Sequence, residues 1–162
     1  MATHPFKMLI ALVVLLLAPI VTTSCNKQFA GRPTQQKELV FEMQRTRCMG
    51  ACPAYTLAVW SNGEVDYTGK AFVEPLGGHQ GQITQEQLNT LIGQFEAARF
   101  FEFEPVYTAR VSDLPTTYIR FKYGGNDQKI TDYYGAPAEL KQLEQALEAL
   151  VTSVKWQPAQ AE

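Results

Sequence analysis

The residues with the clearest chemical potential are two cysteines set close together, Cys48 and Cys52. Met49-Gly50-Ala51 separates them, and Gly50 can take the backbone angles of a tight loop. The pair has three readings. In an oxidising compartment it closes into a structural disulfide, which in the loop-entropy model contributes about 2 kcal/mol less any strain. As a redox-active pair it would draw on Arg45 and Arg47, whose positive charge lowers a neighbouring thiol pKa. Against that, the spacing is three residues and not the two of the common redox motif, and no strand-helix redox scaffold encloses it. As a metal site it lacks partners, because a closed zinc site takes four ligands. His79, the one histidine in the body of the chain, lies far along the sequence among Gly77, Gly78 and Gly81.

Little else has a catalytic pattern. The chain contains no nucleophile elbow, no paired histidines on a helix and no phosphate loop. His79, without partners, reads as an exposed loop residue. Glu102 and Glu104 share one face of an alternating segment and meet solvent. Asp113, before Leu114-Pro115, suits a turn cap. Asp132 is placed to face Arg120 or Lys122 across a hairpin as an ordinary cross-strand pair. No catalytic residue, metal or cofactor is assigned. Tyr107, Tyr118, Tyr123, Tyr133 and Tyr134 gather around that hairpin. Among them Tyr118, Tyr123, Tyr133 and Tyr134 form a candidate binding surface for glycan or protein. A half-buried sheet covered by helices uses tyrosines equally well, and is the commoner arrangement.

The third cysteine, Cys25, sits where processing explains it. Residues 1–7 are short and polar, residues 8–21 are apolar apart from Pro19, and Thr22-Thr23-Ser24-Cys25 follows. The run falls short of the roughly 20 residues a spanning helix needs, and it suits the apolar region of a secretory signal peptide. Thr23-Ser24-Cys25 resembles the lipobox of bacterial lipoproteins. That resemblance implies a signal peptide over residues 1–24, cleavage before Cys25, a diacylglycerol on its thiol and usually an acyl chain on the new amino group. Roughly 0.8 kcal/mol per buried methylene makes two or more chains a stable anchor without a transmembrane helix. A plain signal peptide with an incidental cysteine is the alternative. Asn26 stands where an Asp would resemble the inner-membrane retention signal, which favours the outer membrane. No acidic run follows to resemble a surface-export tag, so a periplasm-facing domain is expected. Lipidation would leave Cys48 and Cys52 alone in an oxidising envelope, the condition that favours their pairing.

The 162 residues carry 14 Lys+Arg against 16 Asp+Glu, a net charge of −2, and the leader contributes only Lys7 to that balance. A slightly acidic exported chain argues against nucleic acid, whose binding needs a basic face. The membrane, through Cys25, is the expected partner, with a protein or glycan partner open. Residues 25–36 read as the lipidated cysteine and a polar tether reaching on the order of 20 Å. Residues 37–156 form one domain, long enough to bury a core without metal or many disulfides. Residues 157–162 read as a flexible tail.

The elements that must position these residues follow from periodicity. Leu39, Phe41 and Met43 alternate with polar neighbours, as do Tyr55, Leu57 and Val59. Asn62-Gly63 suits a type I′ hairpin turn, with Val65 and Tyr67 continuing beyond it. Residues 70–74 suggest another strand, ended by Pro75. Thr84 and Gln87 form a capping-box pattern, and Leu88, Leu91, Ile92 and Phe95 share a helical face over residues 85–99. Residues 101–104 alternate as a short extended piece. Thr117, Ile119, Phe121 and Tyr123 then alternate, Gly124-Gly125-Asn126-Asp127 turns the chain, and residues 129–134 return. Pro137 suits the first turn of a helix whose stripe is Leu140, Leu143, Leu147 and Leu150. The fold class is α+β: an antiparallel sheet of about five to six strands, with two helices on one face, in the order strands, helix, strands, helix.

The segment Arg45-Thr46-Arg47-Cys48-Met49-Gly50-Ala51-Cys52-Pro53-Ala54-Tyr55 resembles the opening signature of an uncharacterised domain of bacterial lipoproteins. Its pattern is Cys-x-Gly-x-Cys-Pro-x-Tyr, with a bulky residue after the first cysteine. Further matches are Asn62-Gly63, Tyr67-Thr68-Gly69, Asp113-Leu114-Pro115-Thr116-Thr117, Asp132-Tyr133-Tyr134-Gly135-Ala136-Pro137 and Trp156. Met49 stands where an aromatic is expected. The resemblance covers residues 38–156 and brings no activity with it. The expectation is therefore a lipid-anchored, non-enzymatic envelope module, structural or partner-recognising. A thiol-disulfide protein using Cys48 and Cys52, or an accessory glycan- or protein-binding module, are the alternatives.

Overall fold

The computed structural model describes residues 37–159; the leader, Cys25 and the tether lie outside the described residues. Eight strands form one sheet: β1 (Leu39–Arg45), β2 (Ala54–Trp60), β3 (Glu64–Ala71), β4 (Gly77–Gln82), β5 (Val106–Tyr107), β6 (Thr117–Tyr123), β7 (Asn126–Asp132) and β8 (Gln157–Pro158). Their spatial order is β5-β7-β6-β1-β2-β3-β4-β8, antiparallel except where β5 runs beside β7. Helices α1 (Gln85–Ala97) and α2 (Ala138–Ser153) share one core with the sheet.

Alternation decides which face is covered, interrupted in β1 where Val40 and Phe41 are both buried. Phe41, Met43, Leu57, Val59, Val65, Ile119, Phe121 and Ile130 are buried, and Leu88, Leu91, Ile92 and Phe95 of α1 and Leu140, Leu143, Leu147 and Leu150 of α2 pack on them. Phe41 and Phe121 stack at 4.9 Å between ring centres, with Phe95 at 4.6 Å from Phe41. The opposite face is polar and open. Arg120 holds Asp127 through two hydrogen bonds, Trp60 donates to Asp66, and the Lys129 ammonium lies over Tyr118.

The α+β class with two helices stands, but the sheet has eight strands and not five to six. The additions carry weak sequence signals. β4 is Gly-Gly-His-Gln-Gly-Gln, with no apolar alternation, and pairs to β3 through its backbone. Gly81 is required there, because a Cβ would meet Val154 Cγ1 at 2.2 Å. Residues 70–74 are not a separate strand: β3 runs on to Ala71, then Phe72, at φ 53, begins the turn back to β4. Part of the expected flexible tail is ordered as β8 against β4, with the Ala159 N–H donating to the Gly78 carbonyl. The extended piece expected over residues 101–104 is broken: a 3-10 turn, Phe100–Glu102, takes its first half, because Arg99 adopts φ 54 and Phe100 is buried among the core aromatics, and the backbone is extended again at Phe103.

The type I′ turn expected at Asn62-Gly63 does not form there. Among Ser61-Asn62-Gly63 only Gly63 has positive φ, and its N–H donates to the Trp60 carbonyl, so this is a type I turn closed by a left-handed glycine. Gly124 and Gly125 both have positive φ and link the paired residues Tyr123 and Asn126, the arrangement of a type I′ turn. The capping box of α1 forms as the sequence implies, with Thr84 and Gln87 bonding reciprocally.

Candidate functional site

One row of residues crosses the sheet in register: Asp132 faces Thr117, Thr117 faces Arg45, Arg45 faces Tyr55, and Tyr55 faces Gly69. Beyond this row the strands end, and residues 46–53, 72–76, 108–116 and 133–137 leave from the same end of the sheet. These loops are tied together. The Thr46 N–H donates to the Thr116 carbonyl at 3.0 Å, the Thr116 N–H returns to Thr46 Oγ1 at 2.8 Å, and the Tyr133 hydroxyl donates to the Val111 carbonyl at 2.9 Å. Among the described residues, six of the eight exposed large hydrophobic side chains lie on them: Met49, Phe72, Leu76, Val111, Leu114 and Tyr134. Met49, at 83 % exposure, stands furthest out.

Cys48 and Cys52 sit in the first of these loops at disulfide-bonding distance, with Cα atoms 5.7 Å apart. Both are half-buried, whereas Met49, Gly50 and Ala51 between them are exposed. The Gly50 N–H donates to Cys48 Sγ at 3.2 Å. Arg45 does not serve the sulfurs. Alternation along β1 sends it to the helix-covered side with Met43, where its Nη1 donates to Glu148 of α2 at 2.6 Å. Arg47 is exposed.

Beneath the loops lies a cluster that the sequence reading missed. Asp132 is only 2 % exposed. It does not meet Arg120, which pairs with Asp127, or Lys122, because the register of β6 and β7 sets Thr117 opposite it and turns its carboxylate under α2. The Lys141 ammonium lies against Asp132 Oδ2 and 3.2 Å from Glu144 Oε2. Asp132 Oδ1 and Glu144 Oε1 are buried without a hydrogen-bond partner. Burial, reinforced by the Asp132 carboxylate and opposed by Lys141, pushes the Glu144 carboxyl up to about 7. Tyr55 and Tyr67, whose hydroxyls are also unpartnered, are raised above the usual phenol range by burial. A lysine near a helix N-terminus opposes the helix dipole, so its carboxylate partners account for Lys141. The sequence held one signal for Glu144: it falls on the helical stripe between Leu140, Leu143 and Leu147, a core-facing place.

The four tyrosines of the candidate surface are not brought together. Tyr118 lies on the open face, Tyr123 stacks on Phe121 on the helix side at the opposite end, and only Tyr133 and Tyr134 reach the loop end. His79 is half-buried in β4 opposite Tyr67, not in a loop. Glu102 and Glu104 are exposed, and Asp113, at φ 69, accepts from the Ser112 hydroxyl. No group of three or more His, Cys, Asp or Glu is placed to hold a metal among the described residues. A polar hollow of about 560 Å³ on the open face, lined by Glu64, Asp66, Gln80 and Gln82, is far from the cysteines. Its carboxylates already bond Lys37, Trp60 and Gln80.

Comparison with curated proteins finds no match. A family model described as a domain of unknown function, DUF6438, matches residues 39–151, from the first residue of β1 into the last turn of α2. The match spans more than half of the chain, and the chain belongs to the DUF6438 family.

Proposed function

We propose that this chain is a lipid-anchored lipoprotein of the cell envelope, held in the outer membrane through Cys25, whose domain is a non-enzymatic module that recognises a protein partner with its loop end. The observation that carries the recognition reading is the gathering of Met49, Phe72, Leu76, Val111, Leu114 and Tyr134 on cross-bonded loops at one end of a rigid sheet. Binding residues concentrate on loops held by a scaffold. Met, aromatic residues and Arg are enriched in protein interfaces while Lys and Glu are depleted, and this end presents Met49, Phe72, Tyr134, Arg47 and Arg110. The anchor rests on the leader and on Thr23-Ser24-Cys25.

A photo-crosslinker at Met49 or Phe72, compared with one at Lys122 on the open face, tests recognition in intact cells. A defined protein adduct from the loop positions and none from Lys122 is expected. Equal or absent adducts at both places would overturn the reading. For the anchor, Cys25→Ala should yield a soluble, unprocessed or mis-sorted precursor. Recovery of that variant cleaved and still in the membrane fraction would refute lipidation.

A thiol-disulfide role is the second reading, favoured by the Gly50 N–H on Cys48 Sγ, which would stabilise a thiolate there, and by exposure of the loop between the cysteines. The reduction potential separates the two. A value below about −300 mV marks a structural staple, and one near roughly −120 to −200 mV marks exchange chemistry.

A further inference from the structure

We propose that Asp132 and Glu144 hold one proton between them, and that this proton clamps the start of α2 to the end of β7, so that the loop end is held tightly when the pair is protonated and loosens when it is not. This deepens the recognition reading, since residues 133–137 join the two elements and carry Tyr134.

Geometry carries the inference. Two buried carboxyls from different elements, Asp132 of β7 and Glu144 of α2, meet at one ammonium, and Asp132 Oδ1 and Glu144 Oε1 have no hydrogen-bond partner. Among the described residues Lys141 is the one cation against them, and it touches both. With one proton on the pair, the Glu144 O–H donates to the Asp132 carboxylate, and the remaining negative charge is balanced by the Lys141 ammonium. The buried group is then neutral. Releasing the proton to solvent leaves two carboxylates facing one ammonium, a net negative charge in a water-poor site.

Among the described residues the neighbours supply no second cation. From β6, Thr117 is uncharged; from β5, Tyr107 is paired with Asp132 and its hydroxyl accepts from the Glu104 N–H; from β1, Arg45 is committed to Glu148; from β2, Tyr55 offers a hydroxyl that burial keeps protonated. The direction found for Glu144, upward through burial and the Asp132 charge, agrees with a shared proton.

The test follows the isotope-labelled side-chain carboxyl carbons and the backbone amides of the full chain, purified in detergent, through a pH series by NMR. Glu144 is expected to titrate near neutrality, with the Tyr134 and Gly135 amides shifting at the same midpoint. In Asp132→Asn the Glu144 midpoint should move by about one pH unit or more towards acid, a shift that burial alone would not produce. Glu144→Gln, which keeps the shape of the protonated form, should fix those amides at their acidic positions, and it serves alone where Asp132→Asn fails to fold. Titration of Glu144 with the exposed carboxylates, an unmoved midpoint in Asp132→Asn, or loop amides that ignore the transition would each overturn the proposal. Failed crosslinks at Met49 and Phe72 would overturn recognition while leaving this titration intact, so the two failures are distinguishable.

Discussion

The two ends of the sheet are built differently. At one, β2 meets β3 through Ser61-Asn62-Gly63 and β6 meets β7 through Gly124-Gly125, tight polar turns whose glycines supply the positive φ angles. At the other, longer loops carry the Cys48–Cys52 pair, most of the exposed apolar side chains, and beneath them the charged pairs Arg45–Glu148 and Lys141–Asp132. Between the ends the core is largely apolar, with Phe41, Phe95 and Phe121 packed ring on ring. A turn that only reverses the chain is specified by backbone angles and needs few residues. The loop end departs from that economy by exposing apolar surface and burying charge, and such departures are where function is expected.

The sharpest way to break this contrast is through glycine. At Gly63 a side chain would sit at φ +81 with its Cβ 2.6 Å from the Ile83 carbonyl oxygen. Gly63→Ala should cost about 2–4 kcal/mol in urea unfolding. Gly50 has only Cys48 Sγ near its Cβ, at 3.8 Å, and Gly50→Ala should cost less than about 0.5 kcal/mol. Comparable losses at both positions would erase the distinction between a rigid and a tolerant end.

Next in size is a pH effect confined to the loop end. The Glu144 carboxyl stands at about 7 in the folded domain against 4.5 ordinarily, so the folded state binds its proton more tightly than the unfolded chain. Its contribution is present in full below the ordinary value and is lost as pH rises towards the folded one, on the order of 3 kcal/mol across that window. The exposed pairs act oppositely: Lys37 holds Glu64, and Arg120 holds Asp127, below the usual carboxylate range, so their small contribution is lost in acid. The wild-type stability curve minus that of Glu144→Gln isolates the buried group. A flat difference would show that Glu144 titrates ordinarily.

Replacing both Cys48 and Cys52 by Ser should lower stability by about 2 kcal/mol, read as a lower urea midpoint at unchanged slope. A loss well beyond that would mean that the disulfide supports the buried cluster as well as its own loop. Smallest of all is the expected stability effect of Met49→Ser with Phe72→Ser, within about 0.5 kcal/mol of wild type, because neither side chain is in the core. The same variant should lose the crosslinked partner, and retention of that adduct would move recognition elsewhere.

Legibility followed pattern strength. β1, β2, β6 and both helices announce themselves through Phe41 and Met43, Leu57 and Val59, Ile119 and Phe121, the Thr84–Gln87 box and the leucine stripe. β4 and β8 do not, because strands without an apolar face gain their place from backbone pairing alone. Phe101 and Phe103 alternate like a strand, yet the left-handed Arg99 and the pull of Phe100 into the core coil the chain as far as Glu102. At the candidate site the cysteine pair was legible, whereas the register burying Asp132 was not, since one step of register decides whether a strand residue meets water or a helix.

By itself the sequence determined the α+β class, the two helices and their apolar faces, the closeness of Cys48 to Cys52, and the DUF6438 character of residues 39–151. Each depends on residues near one another in the chain, where periodicity and spacing translate directly into shape. Only the tertiary structure decided that four separate loops meet at one end, that Arg45 turns to Glu148 and away from the cysteines, and that Asp132 and Glu144 share a buried place around Lys141. Those facts depend on strand order and on the docking of α2 across the sheet, which bring together residues as distant as Arg45 and Glu148 through contacts that no local pattern encodes.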